Sequence, residues 1–423
     1  MKKIYDVIVI GAGPAGLASA INAKKYGAEN VLILERNEEP GGILFQCIHN
    51  GFGTLIYKKD LPGPLYISNF ISEAKNLGIE ILTDTAVLDI TPSRKIYATN
   101  KYKGLLELNA KAIVLSMGCR ERTRGNIRIP GTRPAGVFTA GMVQRLVNIE
   151  GFMPGKNFVI LGSGDIGMIM ARRLKLEGAN VVKVIEIMPH LTGLKRNYVQ
   201  CIKDFNIPIE FSTTVKRIIG KLRVEAVEIV KVDENFNYIS GTEETVNCDT
   251  LLLSIGLIPE NELSRKAGIL LDPLTNGPVI NDYMETNIPG IFSAGNVTTI
   301  YDLVDYVTIA GFSAGKNAAL FALEKYDNFN FINLKPGNLI KSLIPQKIVK
   351  NLFEKDFNLQ FRAGKEIHDN VSLEIKAENR TIYTHNLKYV RPAEMVNIKI
   401  NKEELFKNTG VSTDLTVNLM VNK

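Results

Sequence analysis

The sequence predicts an α/β chain in which two doubly wound parallel sheets are followed by a small β-rich domain. Three observations carry this reading. Strand-like β-branched runs alternate with helical patterns as far as Asn330, the order that builds parallel sheets. A strand, a glycine loop, a helix and a second strand ending in an acid occur twice, with first glycines Gly11 and Gly162. Beyond the helical patterns the chain turns to short alternating strands.

The elements follow in order. Residues 5–10 read as a strand, 15–26 as a helix and 31–35 as a strand. The second copy is a strand at 158–161, a helix at 166–176 and a strand at 181–186. Residues 288–297 place a strand and a small-residue turn before a long helical pattern over 304–325. The segment 333–346, punctuated by Pro336, Gly337 and Pro345, reads as a linker. A short apolar helix is expected near 348–353. Strands are then expected at 357–362, 371–376, 381–385, 395–400 and 416–421.

Composition bounds the possibilities. The 423 residues suit two or three domains at ~150 residues each, and 45% hydrophobic against 22% charged residues describes an ordinary globular chain. Cys47, Cys119, Cys201 and Cys248 are widely separated, with no spacing that suits a metal or a disulfide scaffold. The apolar run at 4–10 after two lysines is too short for a signal peptide and ends in glycines, and no stretch reaches the ~18 apolar residues of a membrane span. A cytoplasmic protein is expected. The net charge is +7, and residues 333–423 hold 15 Lys and Arg against 10 Asp and Glu. Without a groove-reading motif that excess does not argue for nucleic acid.

The loop Gly11-Ala12-Gly13-Pro14-Ala15-Gly16 opens a helix after a strand. There the first glycine permits the turn, the second lets backbone approach a pyrophosphate, and the third lets helix pack on strand. Glu35, closing the second strand of this unit, can accept from both ribose hydroxyls. Gly162-Ser163-Gly164-Asp165-Ile166-Gly167 repeats the device, with Glu186 at the same spacing from its first glycine. An acid there favours a free 2′-hydroxyl, hence NAD(H) over NADP(H); the bland alternative is a decayed duplicate that binds nothing.

With the stretch from Ile288 to Val297, which contains Gly295 and Asn296, the chain resembles the thioredoxin reductase and glutathione reductase superfamily. These are flavoproteins in which an NAD(P) domain interrupts an FAD domain. Residues 112–118, ending in Gly118, resemble the exit from the FAD domain, and 250–259, with Gly256, its counterpart closing the NAD domain. The resemblance implies two Rossmann-like domains: FAD over 1–118 and 286–332, NAD over 119–285, and the β-rich domain over 337–423. The second FAD motif normally ends in Asp at the ribityl chain; here it is Asn296. The same resemblance points the helix start around Val307 and Thr308 at the flavin pyrimidine edge. Arg36, Gly42 and Val87 complete the expected cofactor-binding set.

Disulfide reductases of that superfamily carry paired cysteines, and this chain has only Cys47 after Gly41-Gly42. Cys47 is either a lone redox or charge-transfer thiol, with His49 lowering its pKa, or a packed inert side chain. The segments GGILFQCIHNGFG, GCRERTRGNIRIPGTRPAGVFTAG and 390–396 resemble the FAD/NAD subunits that accompany glycerol-3-phosphate dehydrogenase-like proteins, and those of opine oxidase and hydrogen cyanide synthase. What this implies is an oxidoreductase exchanging hydride between NAD(H) and flavin within a homo- or hetero-oligomer, beside a partner flavoprotein dehydrogenase; the small-molecule substrate is unspecified. The alternatives are a single-cysteine NADH oxidase or peroxide reductase, and a non-catalytic flavin-binding scaffold. Arg120, Arg122, Arg124, Arg128 and Arg133 either bind an anion or acidic partner or form a solvated loop. The β-rich domain is expected to dock the partner, so that a cut after about Pro336 leaves FAD bound.

Overall fold

The computed structural model describes residues 4–325, 330–350, 355–368, 370–407 and 414–421. Two compact units form: the first holds Met1–Phe45, Asn50–Cys119 and Pro259–Lys423, the second Gln46–His49 and Arg120–Ile258.

In the first unit the strands run in the order Glu80–Leu82, Val31–Leu34, Ile4–Ile10, Gly104–Leu115, Lys95–Asn100, Thr85–Ile90. Val7, Ile8 and Val9 have no exposed surface, as expected of a central parallel strand covered on both faces. Gly104–Leu115 serves two kinds of neighbour. It pairs antiparallel with Lys95–Asn100 along its first half and parallel with Ile291–Ser293 at Ile113 to Leu115. Helix Pro14–Lys25 crosses helix Val304–Ala322 closely enough for the Ser19 hydroxyl to donate to Gly311 O at 2.9 Å and Asn22 Nδ2 to Phe312 O at 2.9 Å.

Residues 259–285 also pack in the first unit. Asn261 Nδ2 donates to Val297 O at 3.0 Å, and Asn281 N donates to Glu285 O at 2.9 Å.

The C-terminal segment is β-rich, as expected, with a five-stranded and a three-stranded sheet around Phe361, Leu359, Leu373, Ile375, Ile400 and Val417. Two local expectations are corrected. Residues 333–346 are not a linker: Phe331–Pro336 and Ile340–Ile344 are strands, one in each sheet, and the Pro336-Gly337 signal marks the turn between them. Nor does a helix begin at Ile348, because Lys347–Val349 is a strand antiparallel to Phe331–Asn333; the rest of that expected helix, 351–353, lies outside the described residues.

The same segment is bound into the first unit by buried charge. Lys402 Nζ stands 2.5 Å from Asp282 Oδ2, with side-chain exposures of 0% and 2%, and 4.9 Å from the centre of the Tyr283 ring. Asp282 Oδ1 accepts Val349 N–H at 2.8 Å. Arg362 pairs with Asp302 and donates to Ile300 O at 3.0 Å and Ala393 O at 3.1 Å. A cut after Pro336 would therefore strip Asp282 and Asp302 of their cations, so the segment is not a detachable appendage.

In the second unit the parallel strands run in the order Val137–Thr139, Thr250–Leu253, Asn157–Leu161, Asn180–Ile185, Ile209–Glu210. An antiparallel sheet of Thr213–Ile219, Ala226–Lys231 and Glu244–Asn247 accompanies them. Among the described residues no helix is long and apolar enough to cross a membrane.

Candidate functional site

In the first unit the Gly11 loop follows strand Ile4–Ile10 and opens helix Pro14–Lys25, with Pro14 at a position where its missing N–H costs nothing. Gly11 has φ of +101°, and a Cβ on Gly16 would stand 1.8 Å from Gly11 O, so neither accepts a side chain. Gly13 is different. A Cβ there would meet nothing within 4 Å, so the middle of the loop faces open space. Glu35 is 4% exposed; its Oε2 accepts Ala12 N–H at 2.8 Å and its Oε1 Asn37 N–H at 2.9 Å. Two of about four carboxylate acceptor sites remain for a ligand's hydroxyls.

Other first-unit residues converge here. A Cβ on Gly42 would lie 3.1 Å from Gly13 Cα, and one on Gly295 2.8 Å from Ala15 Cβ and 3.2 Å from Val307 Cγ1. Asn296 Oδ1 accepts Tyr301 N–H at 3.1 Å, and its Nδ2 reaches Cys119 Sγ, next to Gly118, at 3.5 Å. The open loop, the helix N-terminus and the acid together fit the ADP half of FAD. Thr308 is buried with its hydroxyl 2.7 Å from that of Tyr66, Val87 packs on the sheet core, and Arg36 is exposed. Asp305 was missed. Its buried carboxylate accepts Gly53 N–H at 3.1 Å and Ile56 N–H at 3.0 Å, tying that turn to the start of helix Val304–Ala322; an acid in a first helical turn was the available signal.

In the second unit Gly162 has φ of +103°, and Gly167 N–H donates to Ser254 Oγ at 3.0 Å. A Cβ on Gly164 would touch Ser254, at 3.4 Å from its Oγ and 3.7 Å from its O, so unlike Gly13 this glycine does not face open space. Glu186 is 3% exposed and accepts Ser163 N–H at 2.8 Å, matching Glu35 and Ala12. Asp165 Oδ1 is engaged by Leu194 N–H at 2.8 Å and Asn197 Nδ2 at 2.6 Å. Ile166 follows on the same helix, and Gly256 O accepts Arg122 N–H at 3.0 Å. This loop fits a second dinucleotide.

Cys47 also belongs to the second unit. It is 7% exposed, burial pushes its thiol up to about 12, and its Sγ lies 3.6 Å from Gln144 Oε1. Burial thus disfavours the thiolate, the reverse of the activated state of a redox cysteine. Burial raises Cys201 and Cys248 as well, each to about 11. Cys47→Ser is accordingly expected to keep most NADH-to-dye turnover; loss of turnover, or of a long-wavelength charge-transfer band, would restore the thiol reading.

The arginine cluster divides. The Arg124 guanidinium donates to Ile129 O at 3.0 Å, Gly131 O at 3.1 Å and Thr132 O at 2.7 Å, stapling its own loop, while Arg122, Arg128 and Arg133 are exposed. No group of three or more metal-ligating side chains occurs among the described residues.

The family described as Pyridine nucleotide-disulphide oxidoreductase matches residues 5–312. Thioredoxin reductase of Listeria innocua is 27% identical over 334 residues, covering 76% of this chain and 95% of that one. An opine oxidase subunit of Agrobacterium tumefaciens is 27% identical over 354 residues, covering 76% and 66%. The crystal structure of T. acidophilum thioredoxin reductase superposes with a TM-score of 0.62 at 24% identity, covering 77% of this chain and all of that one, a likeness of fold.

Proposed function

The chain belongs to the pyridine nucleotide-disulphide oxidoreductase family and is an oxidoreductase that uses FAD and NAD(P)H, and from that premise we propose that it exchanges a hydride between NADH and flavin as the electron-transferring subunit of a dehydrogenase or oxidase system. The observation that carries this reading is the duplicated loop, each copy with a buried acid bonded to its second residue.

When bound, the flavin supplies a hydride acceptor or donor at N5, and the chemistry of the step is the cofactors' own. The protein binds and orients. Gly13 leaves room for a pyrophosphate at its helix N-terminus, and Glu35 and Glu186 receive ribose hydroxyls. The start of helix Val304–Ala322, beside Gly295, offers positive dipole where reduced flavin gains charge. No thiol is assigned a step, which the burial of Cys47 supports over the single-cysteine alternative.

The partner is a flavoprotein dehydrogenase of the glycerol-3-phosphate dehydrogenase-like or opine-oxidising kind. Likeness to the opine oxidase subunit supports it. Exposed Arg122, Arg128 and Arg133 would steer that association in a salt-sensitive way. Four well-separated cysteines suit the reducing cytoplasm as the place of action.

Anaerobic addition of NADH to the purified yellow protein tests the central step. Rapid bleaching of the flavin band is the expected result; a flavoprotein indifferent to both NADH and NADPH would be the scaffold instead. NADH is expected to act faster than NADPH. Glu186→Gln, which keeps an acceptor but removes the charge that repels a 2′-phosphate, should narrow that ratio by about tenfold, the worth of one close charge pair in a partly wet site. A wild type reduced faster by NADPH overturns the assignment of Glu186.

A further inference from the structure

We propose that Ser163 and Thr192 are positioning residues that aim the Glu186 carboxylate at the nucleotide ribose and thereby set the discrimination between NAD(H) and NADP(H). This rests on the reading of the second loop as the NAD(H) site.

The acids at matching positions of the two loops are held differently. Glu35 has one backbone N–H on each oxygen. Glu186 has four donors, and three converge on Oε2: Ser163 N–H at 2.8 Å, the Ser163 hydroxyl at 2.7 Å and the Thr192 hydroxyl at 2.9 Å. Among the described residues Met188 N–H alone donates to Oε1, at 2.9 Å. Each hydroxyl has one hydrogen to give. With both directed at Oε2, the Ser163 oxygen accepts Thr192 N–H at 3.0 Å, and the 3.1 Å approach of the two hydroxyl oxygens carries no hydrogen. Oε2 is therefore fully engaged, and Oε1 is the oxygen with an acceptor site to spare for a 2′-hydroxyl.

Thr192 is kept in place by a segment that crosses the first turn of helix Asp165–Leu176. Leu194 N–H and Asn197 Nδ2 both bind Asp165 Oδ1. A Cβ on Gly193 would stand 2.8 Å from Asp165 N and 2.6 Å from Met168 Cε, so the crossing needs glycine. Asp165 thus anchors the strap, and Thr192 sits at its solvent-exposed edge with its hydroxyl turned inward to the acid. A carboxylate held by backbone alone can swing away from an incoming 2′-phosphate. One held by two further hydroxyls keeps its charge where that phosphate must go, and its free lone pair where the 2′-hydroxyl must go.

Calorimetric titration of the FAD-loaded protein with NAD⁺ and with NADP⁺ tests this without turnover. Ser163→Ala and Thr192→Val should each weaken NAD⁺ about tenfold, the usual worth of a hydrogen bond to a charged group, and NADP⁺ much less, so that the preference narrows. Thr192→Ser, which keeps the hydroxyl, should restore it. A merely structural role would weaken both nucleotides together, and an unchanged preference in both variants overturns the proposal while leaving the NAD(H) reading intact. A wild type with no preference for NAD⁺ overturns that reading, and this proposal with it.

Discussion

Lys402→Met is expected to destabilise the first unit by about 3–5 kcal/mol, the cost of leaving a buried charge without its partner, read as a fall in the denaturant midpoint. Asp282 would be left buried with backbone N–H groups, those of Val349 and of Asp282 itself, and no cation to compensate it. The pH dependence follows from the sign of its shift. Burial, the largest influence, raises the Asp282 carboxyl above the ordinary range even against the lowering effect of Lys402. A group whose pKa is raised on folding favours the folded state at low pH, and that contribution fades as pH climbs through the folded value. Without Lys402 the carboxyl rises further, so the variant's deficit should shrink as pH is lowered and Asp282 takes up a proton. The double replacement Lys402→Met, Asp282→Leu should recover most of the loss, because an apolar pair of similar volume often matches a buried ion pair. A single variant as stable as wild type at neutral pH would show that the C-terminal strands do not brace the first unit through this contact.

Legibility in the sequence followed the range of the interactions. The glycine loops were legible because their demands are local: Gly11 needs positive φ, Gly16 must let helix meet strand, and the acid lies one βαβ unit on. The C-terminal strands were legible too, since Leu415, Val417 and Leu419 alternate with half-buried neighbours. What failed depended on partners distant in sequence. Pro336 and Gly337 read as a linker because nothing nearby reveals that Phe331–Pro336 pairs with Asp414–Val421, the last strand of the chain's described residues. Gly104–Leu115 changes from exposed and half-buried to fully buried because its neighbours change from antiparallel to parallel along its length. Cys47 meets Gln144 across two segments far apart in sequence, and the strap that puts Thr192 on Glu186 is held by Asp165, at the start of the preceding helix. Spacing within a motif cannot show either.

Gly13→Ala and Gly315→Ala should both lose FAD, for opposite physical reasons that separate the loop's chemistry from its support. Gly315 lies where helix Val304–Ala322 meets helix Pro14–Lys25, and a Cβ there would stand 1.9 Å from Ser19 O; at Gly311 it would stand 2.4 Å from Ala15 O. These neighbours are backbone atoms of a helix and cannot rotate aside. The helices must part, at or above the ~1–3 kcal/mol typical of overpacking, and the helix that moves begins at the phosphate-binding loop. Gly315→Ala should therefore lower the stability of the apoprotein and release FAD together. Gly13 has φ of −75° and ψ of −174°, ordinary extended backbone, and its added Cβ touches no protein atom within 4 Å. The Gly13→Ala apoprotein should match wild type to within about 0.5 kcal/mol, as surface substitutions do. With FAD present the methyl meets the pyrophosphate, and affinity should fall about 10- to 100-fold, again the cost of forcing a group into occupied space. Fluorescence titration of the apoproteins with FAD, alongside their denaturation midpoints, separates the two. Wild-type FAD affinity in Gly13→Ala would mean that the pyrophosphate does not cross the open middle of the first loop, and a stable Gly315→Ala apoprotein would mean that the two helices can part without cost.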